Sequence, residues 1–125
     1  MILPRLAPNY NYAEQVNQKR LRSQGSPPFN VTCSDISASS KDLFGFDADN
    51  TINKFLPLNF IRIVNNGGTD LKVYMNQSSN YEVILNDTIY TNTGNFYSFI
   101  LENTDSSNAV DGDNVFITVQ RKPGV

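Results

Sequence analysis

The chain has 125 residues, a net charge of −2, a single cysteine and no histidine. That length suits one domain. The charge argues against whole-surface binding to nucleic acid, the lone cysteine excludes an intrachain disulfide, and the missing histidine removes the commonest metal ligand and general base. Seventeen Asn accompany many Ser and Thr, the composition of a strand-and-turn protein, because Asn tolerates the left-handed region and caps turns.

Charge divides the chain at Ser26-Pro27-Pro28. Residues 1–29 carry Arg5, Lys19, Arg20 and Arg22 against Glu14, for +3, whereas residues 30–120 carry four basic and eleven acidic side chains, for −7. Residues 1–28 therefore read as an extended basic arm and residues 29–125 as the folded domain. In the arm, Asn11 and Glu14 have the spacing of a capping box, and Lys19, Arg20 and Arg22 fall where a helix C-terminus favours cations. Tyr12, Ala13, Val16 and Leu21 are too few to hold such a helix in water, so it is expected to form only when docked. The opening Met1-Ile2-Leu3-Pro4-Arg5 lacks the apolar core of a signal peptide; export, if any, is expected by another route, of which release by lysis within a particle is one.

The domain opens with a predicted strand over Phe29–Ile36, which places Cys33 as a small buried apolar residue. Ser37 to Asn53 reads as a loop whose apolar knot, Leu43-Phe44-Gly45-Phe46, plugs one end of the core. Phe55–Val64 is a β-rich run with Leu56, Leu58, Phe60, Arg62 and Val64 on one face and Ile61 and Ile63 on the other, a pattern that predicts burial on both sides. Asn65-Asn66-Gly67-Gly68 has the residues of a tight hairpin turn. Strands follow at Leu71–Asn76, Tyr81–Leu85, Thr88–Thr91, Asn95–Glu102 and Val115–Gln120, separated by Asn-, Ser- and Gly-rich turns. In the aromatic strand, Phe96, Ser98 and Ile100 alternate with Tyr97, Phe99 and Leu101. About seven strands at near-even spacing without intervening helices predict an all-β fold, an antiparallel β-sandwich of jelly-roll or immunoglobulin-like type.

Few residues point to chemistry. Asp105 to Asn108 and Asp111 to Asn114 cluster oxygen ligands, but the spacing and terminal Glu of an EF-hand are absent, and Asp and Asn in such loops commonly cap turns; Asp47 and Asp49 pose the same choice. Ser, Cys and Lys occur without a histidine base or a nucleophile elbow, and no carboxylate pair is marked as facing another across a cleft. The reading is non-enzymatic, with no catalytic residue, no metal and no cofactor. Tyr74, Tyr81, Tyr90, Tyr97 and Phe99 offer either a stacking platform for sugars or single strands or ordinary cross-strand packing; the acidic body disfavours nucleic acid there. The sequons at Asn30, Asn76 and Asn86 match the chance expected from composition.

Phe60-Ile61-Arg62-Ile63-Val64-Asn65-Asn66-Gly67-Gly68 with Leu71-Lys72-Val73-Tyr74, and the closing Val115-Phe116-Ile117-Thr118-Val119-Gln120-Arg121, resemble small β-sandwich structural proteins of virus and phage particles, the jelly-roll capsid, vertex and minor virion proteins. The resemblance covers about half the chain, is one of style, and brings no active residue. It implies a virion protein whose N-terminal arm reaches across neighbours, here residues 1–28. Expected partners are other copies of the chain, as a homo-oligomer, and other virion proteins, with nucleic acid or a lipid surface as further contacts for the arm. The candidate partner-binding residues are Arg5, Tyr10, Tyr12, Lys19, Arg20 and Arg22. The competing expectation is a glycan-binding module or adhesin tip using the Tyr-rich strands and the Asn103–Asn114 loop.

Overall fold

Eight strands form two four-stranded antiparallel sheets in the computed structural model, which describes residues 24–123. They are β1 (Phe29–Val31), β2 (Lys41–Gly45), β3 (Phe60–Asn65), β4 (Leu71–Met75), β5 (Glu82–Ile84), β6 (Thr88–Asn92), β7 (Ser98–Asn103) and β8 (Val115–Gln120). The first sheet runs β1-β8-β3-β6 and the second β2-β7-β4-β5. Residues 1–23, with the predicted helix and most of the arm, lie outside the described residues.

One core joins the sheets, and strand alternation explains it. Ile61 and Ile63 of β3 and Ile117 and Val119 of β8 point inward from the first sheet, and Phe99 and Leu101 of β7 and Leu71 and Val73 of β4 from the second. Phe44 lies parallel to Phe99 at 4.7 Å between ring centroids, and Phe46 and Phe96 pack against the same ring. Interdigitated aromatic rings of this kind bury large areas in preferred offset and edge geometries.

Several expectations are corrected. The predicted loop from Ser37 to Asn53 contains β2, which pairs with β7 in the register Phe44↔Phe99. Its sequence, Lys-Asp-Leu-Phe-Gly, lacks strong alternation, and the strand exists because β7 offers a free edge, a case of tertiary context overriding propensity. Phe44 and Phe46 do enter the core, while Leu43 just before them faces out at 55% exposure. The first strand stops at Val31, and Ile36 instead makes an isolated bridge to Val110. The third starts only at Phe60, after a 3-10 turn at Asn53–Phe55; Pro57, without an N–H, cannot donate to a ladder there. It is buried on one face only, for Arg62 is exposed. In the aromatic segment the ladder begins at Ser98; Phe96, expected to share a face with Ser98 and Ile100, is fully buried in a bridge to Leu58.

The largest correction concerns Asn65–Gly68. It is not a hairpin turn: β3 pairs with β6 and β8, and β4 with β5 and β7, so the segment crosses from one sheet to the other. Gly68 supplies the positive φ of +97°, and Gly67 is needed for close approach, since a Cβ there would sit 2.6 Å from Val110 Cγ1. Asn65 turns inward and is fully buried. Its Nδ2 donates to the carbonyls of Thr69 at 2.9 Å and Ile84 at 3.1 Å, and its Oδ1 accepts from the N–H of Gly67 at 3.1 Å. Next to it, Thr69 Oγ1 donates to Asn103 Oδ1 at 3.0 Å, and Asn103 Nδ2 donates to the carbonyls of Ile36 and Asn108. Two asparagine amides thus satisfy the backbone groups of the crossing loops, as burial requires.

Candidate functional site

The candidate residues Arg5, Tyr10, Tyr12, Lys19, Arg20 and Arg22 all lie outside the described residues. What is described is the segment from residue 24 onward, which packs on the end of β8. Ser26 is buried, its N–H donates to Arg121 O at 2.7 Å, and its Oγ accepts from Arg121 N at 2.8 Å. Gln120 Nε2 donates to Ser26 O at 3.1 Å. Gly25 has φ +71°, and a Cβ there would meet Arg121 O at 2.5 Å. Arg121 in turn donates from Nη1 to the carbonyls of Phe55 and Pro57. Gly25 and Ser26 are therefore fixed beside the C-terminal end of β8.

The outer face of the first sheet carries an apolar row. Phe116 stands opposite Val64, and Val64 opposite Ile89; Phe116 is 55% and Ile89 56% exposed. The neighbouring row is Thr118, Arg62 and Thr91, with Asn30 at its edge. Beyond the apolar row, at the end of the sheet where Asn65 pairs with Val115 and Thr88, lie exposed Asp113 and Asp87. Beside Phe116 a concavity of about 220 Å³ opens between β1 and β8, lined by residues that include Val31, Cys33, Asp113 and Ile117. Cross-strand apolar neighbours usually mark a packed face; here Phe116 and Ile89 stay exposed on either side of half-buried Val64.

The second sheet presents a different outer surface. Tyr74 and Tyr81 pack at 5.5 Å between centroids; Lys41 Nζ stands 4.9 Å from the Tyr74 ring and Lys72 Nζ 4.4 Å from that of Tyr81. Tyr74 OH donates to Glu102 Oε1, and this bond, ahead of burial, pushes its pKa up to about 12. The five aromatics singled out above do not assemble. Phe99 is in the core, Tyr97 is exposed apart from the others, and Tyr90 turns inward to donate to Glu82 Oε1 at 2.9 Å while accepting from Asn92 Nδ2. Burial is the first cause of the raised Tyr90 pKa. Glu82 and Asn92 line a second concavity, of about 230 Å³, beside Tyr81.

The Asp-rich loops are engaged in capping. Asp105 Oδ1 accepts from the N–H groups of Ser107 at 2.7 Å and Asn108 at 3.0 Å, which lowers its pKa; Asp111 accepts from Asp113 N and Asn114 Nδ2; Asp49 accepts from Thr51 N and Ile52 N. Among the described residues no three His, Cys, Asp or Glu side chains are grouped to hold a metal ion. Burial first, then Asp42 and Asp35, pushes the Cys33 thiol up to about 11, which keeps it a poor nucleophile at neutral pH.

The alternation of Val115, Ile117 and Val119 with Phe116 already marks Phe116 as outward-facing. Its alignment with Val64 and Ile89 depends on strand order, which spacing does not encode. No protein-family model matches the chain, and no curated protein matches it.

Proposed function

We propose that the chain is a non-enzymatic structural and assembly protein of a virus or phage particle, a jelly roll whose basic arm, residues 1–28, contacts neighbouring copies and other virion proteins. The observation that carries this reading is the strand order. The antiparallel pairs β1 with β8, β2 with β7, β3 with β6 and β4 with β5 are those of one long ribbon folded at its middle. Rolling that ribbon brings β8 against β3 and β7 against β4, the double Greek key of the jelly roll found in viral capsid and lectin domains. An immunoglobulin-like sandwich pairs consecutive strands such as A with B and F with G, whereas here only β4 and β5 are consecutive neighbours.

The arm supports an assembly role because its charge, +3 over residues 1–29, opposes the −7 of residues 30–120, a complementarity that steers association. Reversing it in the full chain, with Lys19→Glu, Arg20→Glu and Arg22→Glu together, is expected to turn an oligomer into a 14.0 kDa monomer in sedimentation velocity. An oligomer of unchanged mass counts against the arm as the contact. The glycan-binding reading keeps one specific support, the exposed Tyr81 beside Tyr74, Lys41 and Lys72 on the second sheet; sugar-dependent quenching of tyrosine emission tests it.

A further inference from the structure

We infer that the apolar row on the first sheet, with the concavity beside Phe116, is the docking surface for Lys19-Arg20-Leu21-Arg22 of a second copy of this chain; the inference rests on the proposed role of the arm in assembly. The surface and the segment match in two respects. Phe116 and Ile89, both exposed, and half-buried Val64 between them form an apolar strip in register across three strands, and the 220 Å³ concavity at one end of it has apolar walls in Val31 and Ile117. This is a seat for one aliphatic side chain such as Leu21. Exposed Asp113 and Asp87 flank the strip at the sheet end, placed for the cations on either side of Leu21. The nearest cation on the face, Arg62, belongs to the next row. A segment alternating cations with one apolar residue is complementary to an apolar seat with an acidic rim.

Chain length decides whose segment it is. The arm is anchored at Gly25 and Ser26 against Arg121, at the opposite end of β8 from Phe116. The four residues from Leu21 to Gly25 span at most about 14 Å when fully extended. The five residue steps from Arg121 back to Phe116 cover about 17 Å along the strand. At full extension Lys19 of the same chain could reach as far as Phe116 but Leu21 stops short of the concavity beside it, so the Leu21 that fills this seat comes from a neighbour. The contact is heterologous, arm of one copy on sheet of the next, and propagates into a ring or a lattice.

The test is charge exchange in the full chain, read by light scattering, with circular dichroism confirming the fold of each variant. Asp87→Lys with Asp113→Lys, both exposed, is expected to dissolve the oligomer, as the reversed arm does, and combining the two sets is expected to restore it. If the reversed arm dissolves the oligomer and the Asp87→Lys/Asp113→Lys chain does not, the arm docks elsewhere and the inference falls while the assembly role stands. If both sets dissolve it and the combination fails to restore it, the strip meets another part of the second copy and the inference also falls. If neither changes the mass, the assembly role of the arm fails with it.

Discussion

Replacing Asn65 with leucine is expected to cost about 3–5 kcal/mol, because a side chain of similar size then leaves buried backbone groups unpartnered at about 1–3 kcal/mol each. The Gly67 N–H has Asn65 Oδ1 as its partner, and the Thr69 carbonyl accepts from Asn65 Nδ2; both residues are buried. The third bond, to Ile84 O, ties the crossing segment to the strand paired with β4. Its loss loosens the hold between the sheets. A domain of this size has a total stability of only about 5–15 kcal/mol. Urea denaturation of the Asn65→Leu chain at low protein concentration, where association does not contribute, checks the prediction. A midpoint close to that of the parent chain contradicts it.

Phe99→Ala is expected to be as costly, about 3–5 kcal/mol, the usual range for removing a large aromatic side chain from a core. Phe99 is fully buried and central to the ring cluster, stacked on Phe44 at 4.7 Å and edge-on to Phe96 at 6.4 Å. The cavity is walled by paired strands on both sheets, which limits collapse. Phe116→Ala is the control: the ring is 55% exposed, and surface truncations of this kind stay within about 0.5 kcal/mol. Denaturation of both variants under the same conditions should separate them clearly. Equal losses would mean that Phe116 is packed within the isolated subunit and does not await a partner.

The elements that were legible in the sequence are those whose alternation is local. Val115 to Gln120 reads as a strand with Val115, Ile117 and Val119 alternating against Phe116, and Leu71 to Asn76 as one with Leu71 and Val73 on one face; both strands are present, the second ending at Met75, with Leu71, Val73, Ile117 and Val119 buried and Phe116 outward. What misled was pairing that skips along the chain. Asn65-Asn66-Gly67-Gly68 has the composition of a hairpin turn, but that inference assumes that consecutive strands pair, and β3 and β4 belong to different sheets. The same nonlocality hid β2, whose Lys-Asp-Leu-Phe-Gly is a strand only because β7 pairs with it. Asn65 and Asn103 resemble the other turn asparagines in composition, and only burial separates them. Of the apolar row on the first sheet, the strand that carries Phe116 was readable. The alignment of Phe116 with Val64 and Ile89, and the acidic rim beside it, follow from register.

The solution mass of the full chain beside a chain lacking residues 1–23, by light scattering coupled to size exclusion, tests the assembly role most directly. Cutting there keeps Gly25 and Ser26 on Arg121. An oligomeric full chain and a folded monomeric truncation are the predicted result. Two monomers of equal fold, or two oligomers of equal size, would contradict an arm that joins copies of the chain.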